Sequence, residues 1–388
     1  MSRGLVNPGP LERFDERDSV FSRARLRPGT SQFDEYYAWR PENWEADLRT
    51  AKLPHLAMPG SHRYGVEEAV LIQSQFAASD LIAAAVEGSE SVEESSIPEG
   101  LGHGDPSQTM HLFEDPSPAR LSAFAKRAAR FLGADDVGLT RLDPAHVYSN
   151  RGRPSEKWGE PVDLDHPFAV VLVFAMRKEC IDSAPEMIST AEVARVYQEA
   201  AAACFALADS FRRMGIRARA HVDSNYLLVA PPLAVDAGLG ELGRMGLLIH
   251  PRLGPGVRLG VVTVDAELLA DEPGDWGIAD FCRSCEKCAK LCPAGAIPCG
   301  TTSIVRGAEK WPISPERCYH YWRTQGSDCG TCLRVCPFTK PDSPLHRFVR
   351  KTVARTSRFN SVFLKMDDLF YGRPREPKNA LDLKSFGE

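Results

Sequence analysis

Nine of the eleven cysteines in this 388-residue chain fall between positions 282 and 336, and eight of these form two sets of four. The first four have the spacing C-x2-C-x2-C-x3-C with a proline directly after them: Cys282, Cys285, Cys288, Cys292 and Pro293. The other four are spread more widely and also end at a proline: Cys318, Cys329, Cys332, Cys336 and Pro337. Because two residues between cysteines let one tight turn bring neighbouring sulfur atoms together, this segment must fold around shared centres.

The first run has the spacing of cysteines that bind 4Fe–4S clusters in two-cluster ferredoxins, where the fourth cysteine binds the other cluster. Zinc sites favour paired C-x2-C knuckles, and disulfides need an oxidising compartment, so both alternatives fit less well. We therefore predict that cluster I is bound by four cysteines from both sets: Cys282, Cys285, Cys288 and Cys336. Cluster II is then bound by the remaining four: Cys292, Cys318, Cys329 and Cys332.

The composition excludes several classes of function. The net charge of −5 gives no electrostatic reason to expect nucleic-acid binding. We identify no run of 18 apolar residues and expect no membrane span. The first ten residues contain neither an apolar signal core nor paired arginines. We therefore expect a cytoplasmic protein, with Cys180 and Cys204 as reduced core thiols and no role for Cys299.

The hydrophobic pattern predicts the elements that precede the cysteines. Residues 1 to about 65 carry many aromatic side chains, so we expect an ordered segment that wraps around the rest. It belongs to an N-terminal region at 1–118 that ends in an acidic loop or linker at 88–118. Two helices are predicted, at 121–132 and 190–214. Four strands are predicted, at 136–142, 168–176, 216–222 and 257–265, and the second is apolar enough for a central position.

The alternation of helices with buried strands indicates an α/β or α+β domain at residues 119–277. A ferredoxin-like insert follows at 278–340. The remainder, 341–388, is a basic tail that could attract an acidic protein or simply form a solvated helix face.

One loop contains the pattern G-x-G-x-x-G, followed by a fourth glycine: Gly238, Gly240, Gly243 and Gly246. A dinucleotide fingerprint requires a strand directly before it, and Pro231 and Pro232 exclude a central strand there. We predict instead that these glycines let the backbone approach a large flat or phosphate-bearing cofactor. A glycine-rich turn without a ligand is the alternative.

Four stretches resemble cobalamin-dependent reductive dehalogenases: residues 236–249, 257–265, 275–292 and 318–340. The segments 12–18 and 21–26 are also similar to that family, so the resemblance spans nearly the whole chain. It implies a nitroreductase-like core that binds a corrinoid, an inserted domain with two 4Fe–4S clusters, and removal of halide from an organohalide, which we expect to be aromatic. No twin-arginine leader or fused reductase module is seen, so the resemblance favours the cytoplasmic, non-respiratory type with a separate ferredoxin or flavodoxin as electron donor.

The resemblance also assigns roles to individual residues. Tyr197 matches the family's catalytic tyrosine, Arg258 its basic partner and Asn225 its asparagine, while Arg323 is a weaker match to a substrate contact. A neutral phenol suits proton donation in a dry pocket, and a nearby guanidinium would stabilise the phenolate. Each residue also has an ordinary explanation: Tyr197 as core packing, Arg258 as a strand-end arginine, Asn225 as a turn residue and Arg323 as a surface arginine.

Epoxyqueuosine reductase, a corrinoid iron–sulfur enzyme that acts on tRNA, is the main alternative. That family has an aspartate where Tyr197 falls, and the acid is missing here. A non-catalytic two-cluster ferredoxin is a third possibility, although about 280 residues before the clusters argue against it.

Overall fold

A computed structural model describes residues 9–88, 117–153, 155–374, 376–377 and 380–386. Most of the predicted linker at 88–118 lies outside these residues. Two predicted helices and four predicted strands are confirmed within about two to three residues at each end, which is the usual uncertainty of such boundaries.

The core is a four-stranded sheet in which every neighbouring pair is antiparallel. The strand order is β1-β2-β6-β3. The bounds of the strands in the first part of the chain are β1 Asp136–Arg141, β2 Phe168–Ala175, β3 Ala218–His221, β4 Glu241–Leu242, β5 Leu248–Ile249 and β6 Val257–Val264. The antiparallel pairing supports the α+β half of the fold prediction, because an α/β layer would have parallel strands.

Helices cover both faces of the sheet, which explains the uninterrupted apolar sequence of β2. The helices up to this point are α1 Val20–Arg23, α2 Ser31–Trp39, α3 Trp44–Ala51, α4 Val66–Gly88, α5 Pro118–Phe131, α6 Lys178–Asp182, α7 Met187–Arg213 and α8 Ala230–Asp236. Val170 and Leu172 of β2 face α7, whereas Val171 and Val173 face α8. A strand that is buried on both faces needs apolar residues at every position.

The N-terminal segment contacts both other parts of the chain. Glu16 is only 2% exposed and accepts hydrogen bonds from the backbone N–H of Gly152 (2.8 Å) and from Nε of Arg153 (2.6 Å). Arg23 forms an ion pair with Glu316 at 2.8 Å, in the cysteine-rich segment. These contacts agree with a wrapping segment, while the domain boundaries at 118, 277 and 340 stay predictions.

Helix α4 is apolar and long enough to cross a membrane by length and composition alone. We did not expect such a segment, because polar residues interrupt its sequence. The helix packs along α7 through buried residues such as Ala83 and Val86. A single helix of this kind is weak support for a membrane span.

The cysteine-rich segment is built from short helices and one hairpin, and two longer helices follow it. The elements are α9 Ile278–Cys285, α10 Lys287–Lys290, β7 Ser303–Val305, β8 Ala308–Lys310, α11 Pro315–Gln325, α12 Thr331–Arg334, α13 Pro344–Arg355 and α14 Asn360–Tyr371. Helices α13 and α14 pack on α9 through Val349, Val353, Phe363 and Leu364.

Candidate iron–sulfur and proton-donor site

Four thiols from the two cysteine sets line one small cavity: Cys282, Cys285, Cys288 and Cys336. The structure thus brings together the four cysteines predicted for cluster I, including Cys336 from the second set, while their role as cluster ligands stays a prediction. Burial raises the pKa of Cys282 to about 12 and raises the pKa of the other three thiols as well. Thiolates in such a dry place require strongly cationic neighbours, and the iron atoms of a cluster meet that need.

The other four thiols are close enough to influence one another. Burial, then the charges of Cys329 and Cys292, raise the pKa of Cys318 to about 12. Burial and the charges of Cys329 and Cys318 raise the pKa of Cys332, and Cys288 of the first group also contributes. The second group therefore fits cluster II and lies beside the first.

No group of three His, Cys, Asp or Glu side chains in the described part of the chain is placed to hold a single metal ion. A cuboidal cluster places a different requirement on the cysteines, because each of them binds a different iron atom.

The glycine-rich loop packs against the chain itself. A Cβ on Gly238 would lie 2.5 Å from the carbonyl oxygen of Glu272, and one on Gly240 would lie 2.3 Å from that of Ile249. At Gly243 and Gly246 the obstacles are the side chains of Ile249 and Ile313. Internal packing thus explains all four glycines, and their role in cofactor binding stays a prediction.

Arg244 lies in the same loop and was not predicted as a site residue. Its buried guanidinium donates to the carbonyl oxygens of Cys282 (3.1 and 3.0 Å), Pro298 (3.0 Å) and Gly300 (2.8 Å). It also lies 4.7 Å from the ring centroid of Trp311. The loop therefore fastens the cysteine-rich segment to the core and places a fixed positive charge beside cluster I. The signal available in the sequence was a basic residue between two of the loop's glycines, Gly243 and Gly246.

Tyr197 and Arg258 meet although 61 positions separate them in the sequence. The guanidinium carbon of Arg258, on β6, lies 5.4 Å from the ring centroid of Tyr197, on α7. Burial raises the pKa of Tyr197, and the charge of Arg258 opposes that rise. The structure thus brings together the two residues that the sequence predicted as partners, and it keeps the phenol neutral.

A third residue, Asp328, completes this group and was missed by the sequence analysis. Its carboxylate lies 3.7 Å from Nη2 of Arg258 and accepts a hydrogen bond from the hydroxyl of Thr190 at 2.8 Å. The backbone N–H of Asp328 donates to the same hydroxyl at 3.0 Å. Because Asp328 directly precedes Cys329, it links the Tyr197–Arg258 pair to cluster II. In the sequence, the only indication that Asp328 belongs to this site was its position next to the predicted cluster ligand Cys329.

Asn225 lies in a different buried polar cluster. Its amide nitrogen donates to the carbonyl oxygen of Ala83 at 2.8 Å and to the carboxylate of Glu87 at 3.0 Å. Its amide oxygen accepts a hydrogen bond from Arg219 at 2.6 Å. The amide is therefore bound by α4 and β3, and the structure does not pair it with Tyr197.

Arg323 anchors the N-terminal segment. Its guanidinium donates to the carbonyl oxygens of Pro54 (2.6 Å) and Leu53 (2.5 Å), and the residue is buried. Backbone acceptors bind Nε and Nη2 of this buried arginine, so the alternative of a surface arginine is wrong, while the substrate contact stays a prediction.

Two groups of four thiols beside a helix-covered antiparallel sheet define an iron–sulfur protein with a mixed α and β core. A family model for the 4Fe–4S dicluster domain matches residues 281–340. The chain is 32% identical over 322 residues to a tetrachloroethene reductive dehalogenase of Sulfurospirillum multivorans, which covers 74% of this chain and 62% of that protein. It therefore spans less than two thirds of that relative.

Solved structures agree with this relationship. The catabolic reductive dehalogenase NpRdhA in complex with 3-bromo-4-hydroxybenzoic acid gives a TM-score of 0.73 at 25% identity, over 97% of this chain and 49% of that one. A reductive dehalogenase whose structure suggests a mechanism for B12-dependent dehalogenation gives 0.73 at 26% identity, over 97% and 48%. The chain is thus similar to reductive dehalogenases in both sequence and fold.

A shorter similarity involves the predicted alternative. An epoxyqueuosine reductase of a Synechococcus species is 30% identical over 137 residues, or 32% of this chain and 38% of that protein.

Proposed function

We propose that this protein is a reductive dehalogenase that replaces a carbon–halogen bond with a carbon–hydrogen bond. The reaction consumes two electrons and one proton and releases one halide ion. The observation that carries the proposal is the Tyr197–Arg258–Asp328 group, which joins a neutral phenol to the loop of cluster II in a chain with the fold of NpRdhA.

Tyr197 is suited to donate the proton. Burial raises its pKa, so the hydroxyl stays protonated at neutral pH. Loss of the proton leaves a phenolate in a poorly hydrated place, and the constant charge of Arg258 stabilises that anion. The pair thus favours a donor that is neutral before the reaction and paired with a cation after it.

Asp328 and Thr190 hold Arg258 in position. The carboxylate of Asp328 binds the guanidinium on one side and the Thr190 hydroxyl on the other. Because Asp328 is buried, its carboxylate has few competing water partners. This network holds the guanidinium beside the ring of Tyr197.

Cobalamin is proposed as the further cofactor from the similarity to a B12-dependent dehalogenase. When bound, it would supply a cobalt centre that takes electrons from the clusters and reacts with the carbon–halogen bond. One buried group near Tyr197 is compatible with a missing ligand: Nε of Arg258 has no hydrogen-bond partner among the described residues. The four loop glycines remain proposed contacts of cobalamin, and Asn225 remains a proposed catalytic residue.

The proposed substrate class is a halogenated aromatic compound. The support is the complex of NpRdhA with 3-bromo-4-hydroxybenzoic acid, while the curated relative acts on tetrachloroethene. A separate ferredoxin or flavodoxin remains the proposed electron donor, and a cytoplasmic location stays a prediction.

The deciding experiment uses protein purified anaerobically, reconstituted with iron, sulfide and cobalamin, and reduced with titanium(III) citrate. We expect chloride or bromide release from halophenols, with the dehalogenated phenol formed in equal amount. Tetrachloroethene in a parallel assay tests the aliphatic alternative. Reduction of epoxyqueuosine in a tRNA stem loop without any halide release would instead assign the protein to the alternative function.

A further inference from the structure

Helices α13 and α14 carry an exposed surface that the proposed reaction does not use. Six large apolar side chains on these helices and the turn between them are exposed: Leu345, Phe348, Phe359, Val362, Leu369 and Phe370. Phe348 is 63% exposed and Leu369 is 80% exposed. Because these side chains are grouped on two helices that both pack on α9, we interpret them as an interaction surface. We call this surface, with the basic residues described next, the tail face.

The tail face is strongly basic although the whole chain has a net charge of −5. Between positions 344 and 366 the sequence has six Lys and Arg residues and no Asp or Glu. Arg347 and Arg350 pair with Asp342. Within the described residues no ion-pair partner within 4 Å is found for the four others: Lys351, Arg355, Arg358 and Lys365. Their charges are therefore available to a partner.

The tail face lies directly over the ligands of cluster I. The inner sides of α13 and α14 pack on α9, which carries Cys282 and Cys285. A Cβ on Gly277, at the start of α9, would lie 2.3 Å from the carbonyl oxygen of Val353. On α10, next to Cys288, the ammonium of Lys287 binds Asp367 and Asp368 of α14. A protein bound to the tail face is thus separated from cluster I by a single layer of helices.

We infer that the tail face is the docking site of the electron donor, and that this donor is a small, acidic one-electron carrier of the ferredoxin class. The inference rests on the proposed function, which requires an external reductant. In each transfer, the reduced donor loses one electron and cluster I gains it, and two transfers balance the cleavage of one carbon–halogen bond. Basic side chains steer the acidic donor to the surface, and the apolar groups provide the buried centre of the contact.

The test measures how fast a reduced, acidic two-cluster ferredoxin bleaches the clusters of the holoenzyme in a stopped-flow instrument. The variant reverses three charges, K351E, R355E and R358E. We expect at least a tenfold slower bimolecular rate at low salt, because steering contributes orders of magnitude to such rates. We also expect the wild-type rate to fall with ionic strength and the variant's rate to depend on it weakly.

Matched controls separate docking from other effects. The variant with R27E, K52E and R127E makes the same change in net charge at exposed positions outside the tail face, and its rate should stay within twofold of wild type. Reduction by titanium(III) citrate should be the same in all three proteins, because a small reductant needs no docking surface. An iron content of about eight atoms per chain verifies intact clusters.

Several outcomes would overturn the inference. Equal slowing of both charge variants would show a net-charge effect without a local site. Binding of wild type, but not of the tail-face variant, to vesicles with anionic lipid, combined with unchanged ferredoxin rates, would assign the surface to a membrane. If titanium(III) citrate drives no halide release while the ferredoxin rates behave as expected, the proposed function fails and the docking site stands.

Discussion

At the scale of single residues, burial and charge decide which groups can take part in chemistry. Tyr197, Arg258 and Asp328 come from α7, from β6 and from the loop before α12. A tyrosine on a helix face that points into a core is ordinarily a packing residue. Here the guanidinium at 5.4 Å and the carboxylate behind it give the phenol a charged environment, which packing alone would not require.

Replacing Arg258 should change both the rate and the pH dependence of dehalogenation. In R258Q the charge that lowers the pKa of Tyr197 is lost, so that pKa rises further and the alkaline decline in rate moves to higher pH. We expect kcat to fall about 10²-fold, as for the loss of other charge-stabilising donors, and R258K to recover part of it. The pH–rate profile between pH 7 and 11 measures the effect.

D328N provides the opposite shift. Asp328 raises the pKa of Tyr197, so its neutralisation should lower that pKa and move the alkaline decline to lower pH. Shifts in the same direction in R258Q and D328N, with iron content unchanged, would contradict Tyr197 as the titrating donor. Y197F should lose halide release and keep both clusters.

At the scale of elements, the short helix α10 joins the cluster segment to the tail. Lys287 is 1% exposed in its side chain and its ammonium binds two carboxylates of α14. Burial lowers the pKa of Lys287, but both carboxylates raise it more strongly, so the ion pairs persist over the physiological range. The same helix bears Lys290, whose side chain is half exposed.

These two lysines form a matched pair for a stability experiment. K287M leaves Asp367 buried without its cation, and the free energy of unfolding should fall by about 3 kcal/mol. K290M removes only an exposed i, i+4 pair with Glu286 and should cost less than about 0.5 kcal/mol. Urea unfolding of both variants, followed by helix content and by cluster absorption, compares them. Equal midpoints would show that the Lys287 contacts do not hold the tail.

At the scale of the whole molecule, each cluster connects distant parts of the chain. Cys336 of the second cysteine set lines the cavity of the predicted cluster I, and Cys292 of the first run lies near Cys318, Cys329 and Cys332, the other predicted ligands of cluster II. Each predicted cluster therefore connects the two cysteine sets. Arg244 of the glycine-rich loop connects them to the sheet domain by donating hydrogen bonds to the carbonyl oxygen of Cys282.

Iron content in double variants tests this crossover. C282S/C336S removes two ligands of the same cluster, so about four iron atoms per chain should remain. C282S/C292S removes one ligand from each cluster and should leave almost none, although both residues lie in the same run. C299S, at an exposed position outside both groups, should keep about eight. The reverse order for the two double variants would refute the assignment.

The sequence by itself determined the order of helices and strands and predicted which cysteines would share a cluster. Both depend on short-range spacing: turns between cysteines fix which sulfur atoms can share a cluster, and apolar periodicity fixes the buried faces. β2 and α7 were predicted for the same reason.

Only the tertiary structure decided what the long-range partners are. In the folded protein the amide of Asn225 binds Glu87, and the guanidinium of Arg323 binds the carbonyl oxygen of Pro54. The glycine loop packs against other parts of the same chain. The tertiary structure also brought Asp328 to Arg258. A buried polar group must find a hydrogen-bond partner wherever packing provides one, and residues distant in sequence supply that partner, so no local pattern records it.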